Sequence, residues 1–154
     1  MSMVEQRLIA AGIALPHPVA PIANYVPFVR VGNLVHISGQ VSLDASGGIT
    51  GIVGETVDLE TAQRAARLCG INLLAQMKAA CDGDLDRVRR VVKLGGFVQA
   101  GPDFYDIPSV VNGCSDVMVE AFADAGRHAR SAVGVYRLPR NFAVEVDAVV
   151  EIAG

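Results

Sequence analysis

Arg130 and Glu145 are the residues of this 154-residue chain whose types and spacing are best suited to chemistry. The stretch from Gly126 to Val150 reads as two strands around a Leu138-Pro139-Arg140-Asn141 turn. Successive side chains of a strand point to opposite faces. On the first strand Ser131, Val133 and Val135 share one face, and Arg130, Ala132, Gly134 and Tyr136 the other. On the second, Val144, Val146, Ala148 and Val150 oppose Ala143, Glu145, Asp147 and Val149. With both valine-rich faces on the core, Arg130 and Glu145 are expected to emerge together. A guanidinium grips a carboxylate through two parallel hydrogen bonds, and a neighbouring carboxylate can orient or deprotonate water. The pair therefore predicts a shallow anionic-ligand pocket beside a water-handling group. The pattern alone leaves two plainer roles open: Arg130 in a structural ion pair, with Glu145 itself one candidate partner, and Glu145 paired across an interface.

The elements that must position this pair follow from hydrophobic periodicity and punctuation. Glu5 to Ala11 predicts a short helix ended by Gly12, and Pro16, Pro18, Pro21 and Pro27 predict an extended lead-in. Phe28 to Val31, Gly32-Asn33 and Leu34 to Ser42 read as a hairpin, with Val35, Ile37, Gly39 and Val41 on one face and His36, Ser38 and Gln40 on the other. Asp58 is an N-cap candidate for a helix from Leu59 to about Ala80, whose Ala62, Ala65, Ala66, Cys69, Leu73 and Met77 form a stripe of mostly small side chains. Arg87 to Val98 reads as a strand, with Gly95-Gly96 marking a bulge or a close backbone approach. A second amphipathic helix is expected over about Ser109 to Ala125, stopped by Gly126. The order strand-strand, helix, strand, helix, strand-strand predicts an α/β two-layer sandwich, a mixed sheet with two helices on one face. The other face carries Phe97, Tyr136 and Val149 and is expected to meet another subunit.

Bulk properties narrow the class. Hydrophobic residues make up 51% of the chain and charged residues 19%, which describes one ordered globular domain over 1–154. A formal charge of −3 argues against a nucleic-acid surface, and Arg87, Arg89 and Arg90 lack interleaved aromatics. No apolar run is long enough to span a membrane and the first residues do not resemble a signal peptide, so a soluble, cytoplasmic protein is expected. Cys69, Cys81 and Cys114 are widely spaced, with Cys69 and Cys114 expected in the core and Cys81 a candidate for exposure. His17, His36 and His128 show no metal-ligand spacing, and nothing in the pattern calls for a metal or a cofactor. Ser38 lacks the elbow of a serine nucleophile and is better read as a hydrogen-bonding group at a cleft wall. Asn112, in the first turn or so of the second helix, could cap it or bond locally instead of touching a ligand, and Phe97 could line a pocket or fill a core.

Gly32-Asn33-Leu34, Ser38-Gly39-Gln40, Val110-Val111-Asn112, Ala129-Arg130-Ser131, Leu138-Pro139 and Val144-Glu145-Val146 occur in the order found in the Rid (YjgF-type) family of imine deaminases, also labelled L-PSP endoribonuclease. The chain resembles this family from about Asn24 to its C-terminus. The resemblance implies a chorismate-mutase-like fold and a homotrimer with clefts between subunits. It also implies hydrolysis of small enamino or 2-imino acids to 2-oxo acids and ammonia. Arg130 then matches the arginine that holds the substrate carboxylate and Glu145 the carboxylate that positions water. Tyr25, Ser38, Gly39 and Asn112 match residues around the cleft, and the backbone of Ala132 a position that hydrogen-bonds substrate. The chain departs from the family in having Ala132 where many members have cysteine, and Asn24-Tyr25-Val26-Pro27 in place of a Gly-Pro-Tyr context. A non-catalytic binder or sensor of small carboxylates is the alternative that the same cleft would serve.

Overall fold

The computed structural model describes residues 1–21 and 23–154; Ile22, within the proline-rich lead-in, lies outside the described residues. Five strands form one sheet in the order β1-β2-β5-β3-β4. They are β1 (Phe28–Val31), β2 (Leu34–Val41), β3 (Val88–Gln99), β4 (Ala129–Val135) and β5 (Val144–Ile152). β5 is central, antiparallel to both β2 and β3, while β4 joins the far edge parallel to β3. A parallel pair needs a crossover, and helix α3 (Ile107–Phe122) supplies it. Helix α2 (Leu59–Ala80) lies beside α3 on the same face. A third helix, α1 (Met3–Ala10), joins the two expected in that layer. Its first N–H groups, on Met3 and Val4, both donate to the Asp86 carboxylate at 2.9 Å. Among the described residues no helix is long and apolar enough to cross a membrane.

Local chemistry explains these elements. Asp58 caps α2, its Oδ1 accepting from Thr61 N at 2.8 Å, which satisfies an otherwise unpaired first-turn donor. In the β1–β2 turn Gly32 alone takes a positive φ, of 61°. That matches a type II′ hairpin turn, whose first central position favours glycine, and accounts for the Gly-Asn order. Gly95 and Gly96 mark close approach: a Cβ at Gly96 would lie 2.7 Å from the Val111 side chain of α3. The register shifts in β3 fall earlier, between Val88 and Arg90 and between Val91 and Lys93. Gly96→Ala is therefore expected to overpack the sheet–α3 contact and cost about 1–3 kcal/mol, read as a lowered denaturant midpoint with an unchanged slope.

The core lies between the helices and Val35, Ile37, Val91, Leu94, Val98, Val144, Val146, Ala148 and Val150. Cys69, Cys81 and Cys114 are all buried, so Cys81 is not the exposed thiol that was one reading of the sequence. Burial pushes the Cys114 thiol up to about 12 and Cys69 well above its ordinary value. Neither forms a ready thiolate, so both act as small core side chains.

The even alternation expected for β2 does not hold. Ile37 faces Ala148 and Gln40 faces Val146, so Ser38 and Gly39 together oppose Asp147 alone. This bulge turns Gln40 inward, where it is buried, and leaves Val41 half-buried.

Candidate functional site

β5 alternates as its sequence requires. Val144, Val146, Ala148 and Val150 are buried under the helices, and Glu145, Asp147 and Val149 are half-buried on the opposite face. The bulge in β2 brings Gly39 against Glu145, where a Cβ would lie 2.7 Å from Oε2. Burial raises the Glu145 pKa above its ordinary 4.5 and the charge of Asp147 raises it further. Among the described residues no hydrogen bond or opposite charge offsets either effect. A desolvated carboxylate without a counter-ion is costly to fold around, and such groups concentrate where function requires them.

Glu145 borders a cavity of about 130 Å³. Its polar lining is Tyr25, Gln40, Asn72, Arg140 and Glu145, and its walls are largely apolar, from Val41, Leu43 and Phe142 to the proline-rich lead-in. Tyr25 is 47% exposed at this cavity. The Ser38 hydroxyl donates to the Val26 carbonyl at 2.8 Å, and Ser38 N to Pro27 O at 2.9 Å, which fastens the segment carrying Tyr25 to β2. Phe97 stands opposite Glu145 in the β3–β5 register and is half-buried. Arg140 reaches the cavity from the Pro139–Asn141 turn, in which Arg140 and Asn141 have φ of 54° and 63°. Left-handed conformations of this kind cost free energy in non-glycine residues. The fully buried Gln99 holds them in place. Its Nε2 donates to Gly51 O at 2.9 Å and Asn141 Oδ1 at 2.7 Å, and its Oε1 accepts from Leu138 N at 2.7 Å.

Arg130 does not join this group within one chain. The expectation that it emerges on the same sheet face as Glu145 is corrected by the register: Arg130 pairs with Leu94, and Leu94 with Ala148, a row whose last two members are buried under the helices. Val133 takes the other face, 46% exposed in the row of Phe97 and Glu145. The physical reason is the closeness of α3 to the edge strand. Ala132 packs on that side against the core, and α3 supplies three hydrogen-bond acceptors to Arg130, whereas Gly134 is exposed.

Arg130 is instead held by α3. Nη1 donates to Asn112 Oδ1 at 2.8 Å and Ser115 Oγ at 3.1 Å, and Nη2 to Pro108 O at 3.3 Å. Pro108, Asn112 and Ser115 are spaced i, i+4, i+7, one stripe of the helix. A guanidinium has five N–H donors. Nε–H and one Nη2–H keep no partner among the described residues, and these two nitrogens form one edge of the planar fork, the geometry that matches a carboxylate. Arg130 is thus not an ion-pair partner of Glu145, and Asn112 serves as its acceptor.

The sequence-predicted residues therefore form two groups. Tyr25, Ser38, Gly39, Phe97 and Glu145 belong to the cavity side; Arg130, Asn112 and Ala132 belong to the helix-facing edge. Ser115, Gln99 and Arg140 join these groups although no motif in the sequence points to them. Ser115 was legible as a polar group three residues beyond Asn112, and Gln99 as an amide at a strand end. Among the described residues no three His, Cys, Asp or Glu side chains gather as a metal site would require.

The profile of the YjgF/chorismate mutase-like family, whose description also carries an endoribonuclease label, matches residues 5–152. Protein TCP17 of Trypanosoma cruzi is 46% identical, over 99% of this chain and 99% of its own. A 2-iminobutanoate/2-iminopropanoate deaminase of Dermatophagoides farinae is 32% identical, over 97% of this chain and 99% of its own. Among solved structures, Atu1372 of Agrobacterium tumefaciens, of unknown function, superposes with a TM-score of 0.92 at 48% identity, covering 97% of this chain and 92% of that one. By sequence profile, relatives and fold alike, the chain belongs to the YjgF/chorismate mutase-like family.

Proposed function

We propose that this protein hydrolyses small 2-imino or enamino acids to 2-oxo acids and ammonia, in clefts completed between copies of the chain. The observation that carries the proposal is Glu145, desolvated and without a partner at the edge of a largely apolar cavity. An enamine first tautomerises to the imine. Water then adds its oxygen to the C=N carbon while Glu145 takes the proton and passes it to nitrogen, giving a carbinolamine. Collapse of that intermediate breaks the C–N bond, forms the 2-oxo acid and expels ammonia. Proton transfer by a positioned carboxylate is worth about 10²–10⁴-fold in rate.

Arg130 holds the substrate carboxylate through its Nε and Nη2 edge. Because Arg130 and Glu145 lie on opposite faces in one chain, one small substrate meets both only if a second copy brings its Arg130 to the cavity of the first. A homotrimer is the assembly proposed, burying Val29, Val31, Leu34 and Val133, which are exposed on the single chain. Three buried free cysteines suit a reducing, cytoplasmic setting. The deaminase named among the relatives supports the substrate class.

The test is to generate 2-aminoacrylate in situ and time its loss, with the assembly sized by sedimentation. Accelerated loss by a three-copy species is expected. Binding of 2-oxo acids with no acceleration on several imines favours the non-catalytic binder, and a stable monomer removes the shared cleft. RNA cleavage that survives both Arg130→Ala and Glu145→Gln would assign nuclease activity to other residues. Gly39→Ala puts a methyl against Oε2 and should displace the carboxylate. Turnover is expected to fall by tenfold or more, since a shift of about 1 Å can cost about 10²-fold, while the melting curve stays cooperative.

A further inference from the structure

His128 sits at the start of β4 with both ring nitrogens engaged. Nδ1 lies 2.6 Å from Gly126 O and Nε2 2.9 Å from Ser115 Oγ. A carbonyl oxygen only accepts, so Nδ1 carries the proton. In the neutral ring Nε2 is then an acceptor, and the Ser115 hydroxyl must donate to it. That leaves the Ser115 lone pairs facing Arg130 Nη1, 3.1 Å away. The direction of every bond in the relay is thus set by one backbone carbonyl. The carbonyl is itself fixed, because Gly126 lies so close to α3 that a Cβ there would collide with Met118 O.

We infer that His128 is a positioning residue for Arg130: acting through the Ser115 hydroxyl, it fixes the rotation of the guanidinium that meets the substrate carboxylate. The inference deepens the proposed function, on which the role of the carboxylate rests. Without the imidazole the Ser115 O–H is free to turn toward water or a helix carbonyl, and its lone pairs no longer face Nη1 in one orientation. Asn112 Oδ1 and Pro108 O still hold the guanidinium, but two acceptors fix its plane less firmly than three. Burial lowers the His128 pKa from its ordinary 6.5, with the Gly126 carbonyl opposing and the Arg130 charge reinforcing, so at neutral pH the ring is in the form this relay requires. No metal role is needed to account for this histidine.

The experiment compares His128→Phe, which keeps a ring but no acceptor, with His128→Gln, whose amide oxygen can replace Nε2, and with Ser115→Ala. His128→Phe is expected to raise the KM for 2-iminopropanoate roughly fivefold, the scale of one net hydrogen bond, with kcat little changed. His128→Gln should restore most of it. In a Ser115→Ala background His128→Phe should add nothing, because the relay is already cut. A second readout needs no substrate: rotation about the Arg130 guanidinium bonds, seen in nitrogen line shapes of arginine-labelled protein, should be slow in the wild type and faster in His128→Phe. A His128→Phe protein with wild-type KM and line shape overturns the inference, as does full additivity with Ser115→Ala. If the wild type hydrolyses no imine, the proposed function fails, and the line shapes alone then support or overturn the positioning.

Discussion

Glu145→Gln is expected to lower kcat for 2-aminoacrylate hydrolysis by about 10²–10⁴-fold while leaving 2-oxo acid binding within reach of the wild type, because it removes a proton acceptor and preserves shape. The same substitution should make the protein more stable at neutral pH. Glu145 is desolvated beside Asp147, and its folded pKa stands above the ordinary 4.5. The native state therefore holds its proton more tightly than the unfolded chain does. The stabilisation associated with that proton is full below the unfolded value and is lost as pH rises through the folded one. Glutamine carries no such loss. Chemical denaturation should thus show the variant ahead of the wild type at pH 7, with the gap closing as pH falls past the ordinary carboxylate range. Asp147, whose pKa is also raised, contributes the same trend to both proteins. The acid limb of kcat/KM should belong to Glu145 and vanish from the residual activity of the variant. Equal stabilities at pH 7, or a variant with wild-type kcat, would remove Glu145 from the role proposed for it. A residue that costs stability and repays it in rate is what a working base looks like.

Arg130→Ala is the second large effect. Loss of a two-point, charge-assisted contact should weaken 2-oxo acid binding by about 10–100-fold, from roughly 1.5–3 kcal/mol for hydrogen bonds to a charged group. Arg130→Lys should recover little, because an ammonium has no planar edge to match a carboxylate. Calorimetric titration with pyruvate reads both. Since Arg130 also ties β4 to α3 through Asn112, Ser115 and Pro108, Asn112→Ala is the control. It removes one of these ties while keeping the guanidinium, so a fall in melting temperature with far less loss of binding separates structure from ligand contact. Lysine binding as tightly as arginine would point to a simple charge effect.

How much of this was legible in the sequence differs between the two halves of the site. Alternation placed Glu145 on the open face of β5 because its neighbours Val144 and Val146 have one burial solution, and Asp58 marked a helix start through local chemistry that tertiary contacts did not override; the second helix instead ends at Phe122, with Ala123 at φ 53°, ahead of the expected stop at Gly126. β4 misled because it is an edge strand. Its valines read as core residues, yet what decides its orientation is the nearness of α3, whose Asn112, Ser115 and Pro108 hold Arg130 on the helix side and so let Val133 face out. No local pattern carries that information. The short turn between β4 and β5 suggests neighbouring strands, yet β3 lies between them and the turn spans a sheet position. The site draws on distant segments for the same reason. Gln99 reaches Asn141 across the fold and Ser115 reaches His128 from the helix, pairings that spacing along the chain does not reveal.

The extra residue at Ser38-Gly39 has a bearing on how the chain finds its register. Because β2 changes phase partway along, no single sliding of it against β5 can satisfy both of its halves. A shift by one place that turned Val41 toward the core would cast Val35 and Ile37 into water. One-place slips are thereby poor, and the native zippering of the central strands stands apart from them by the burial of two aliphatic side chains.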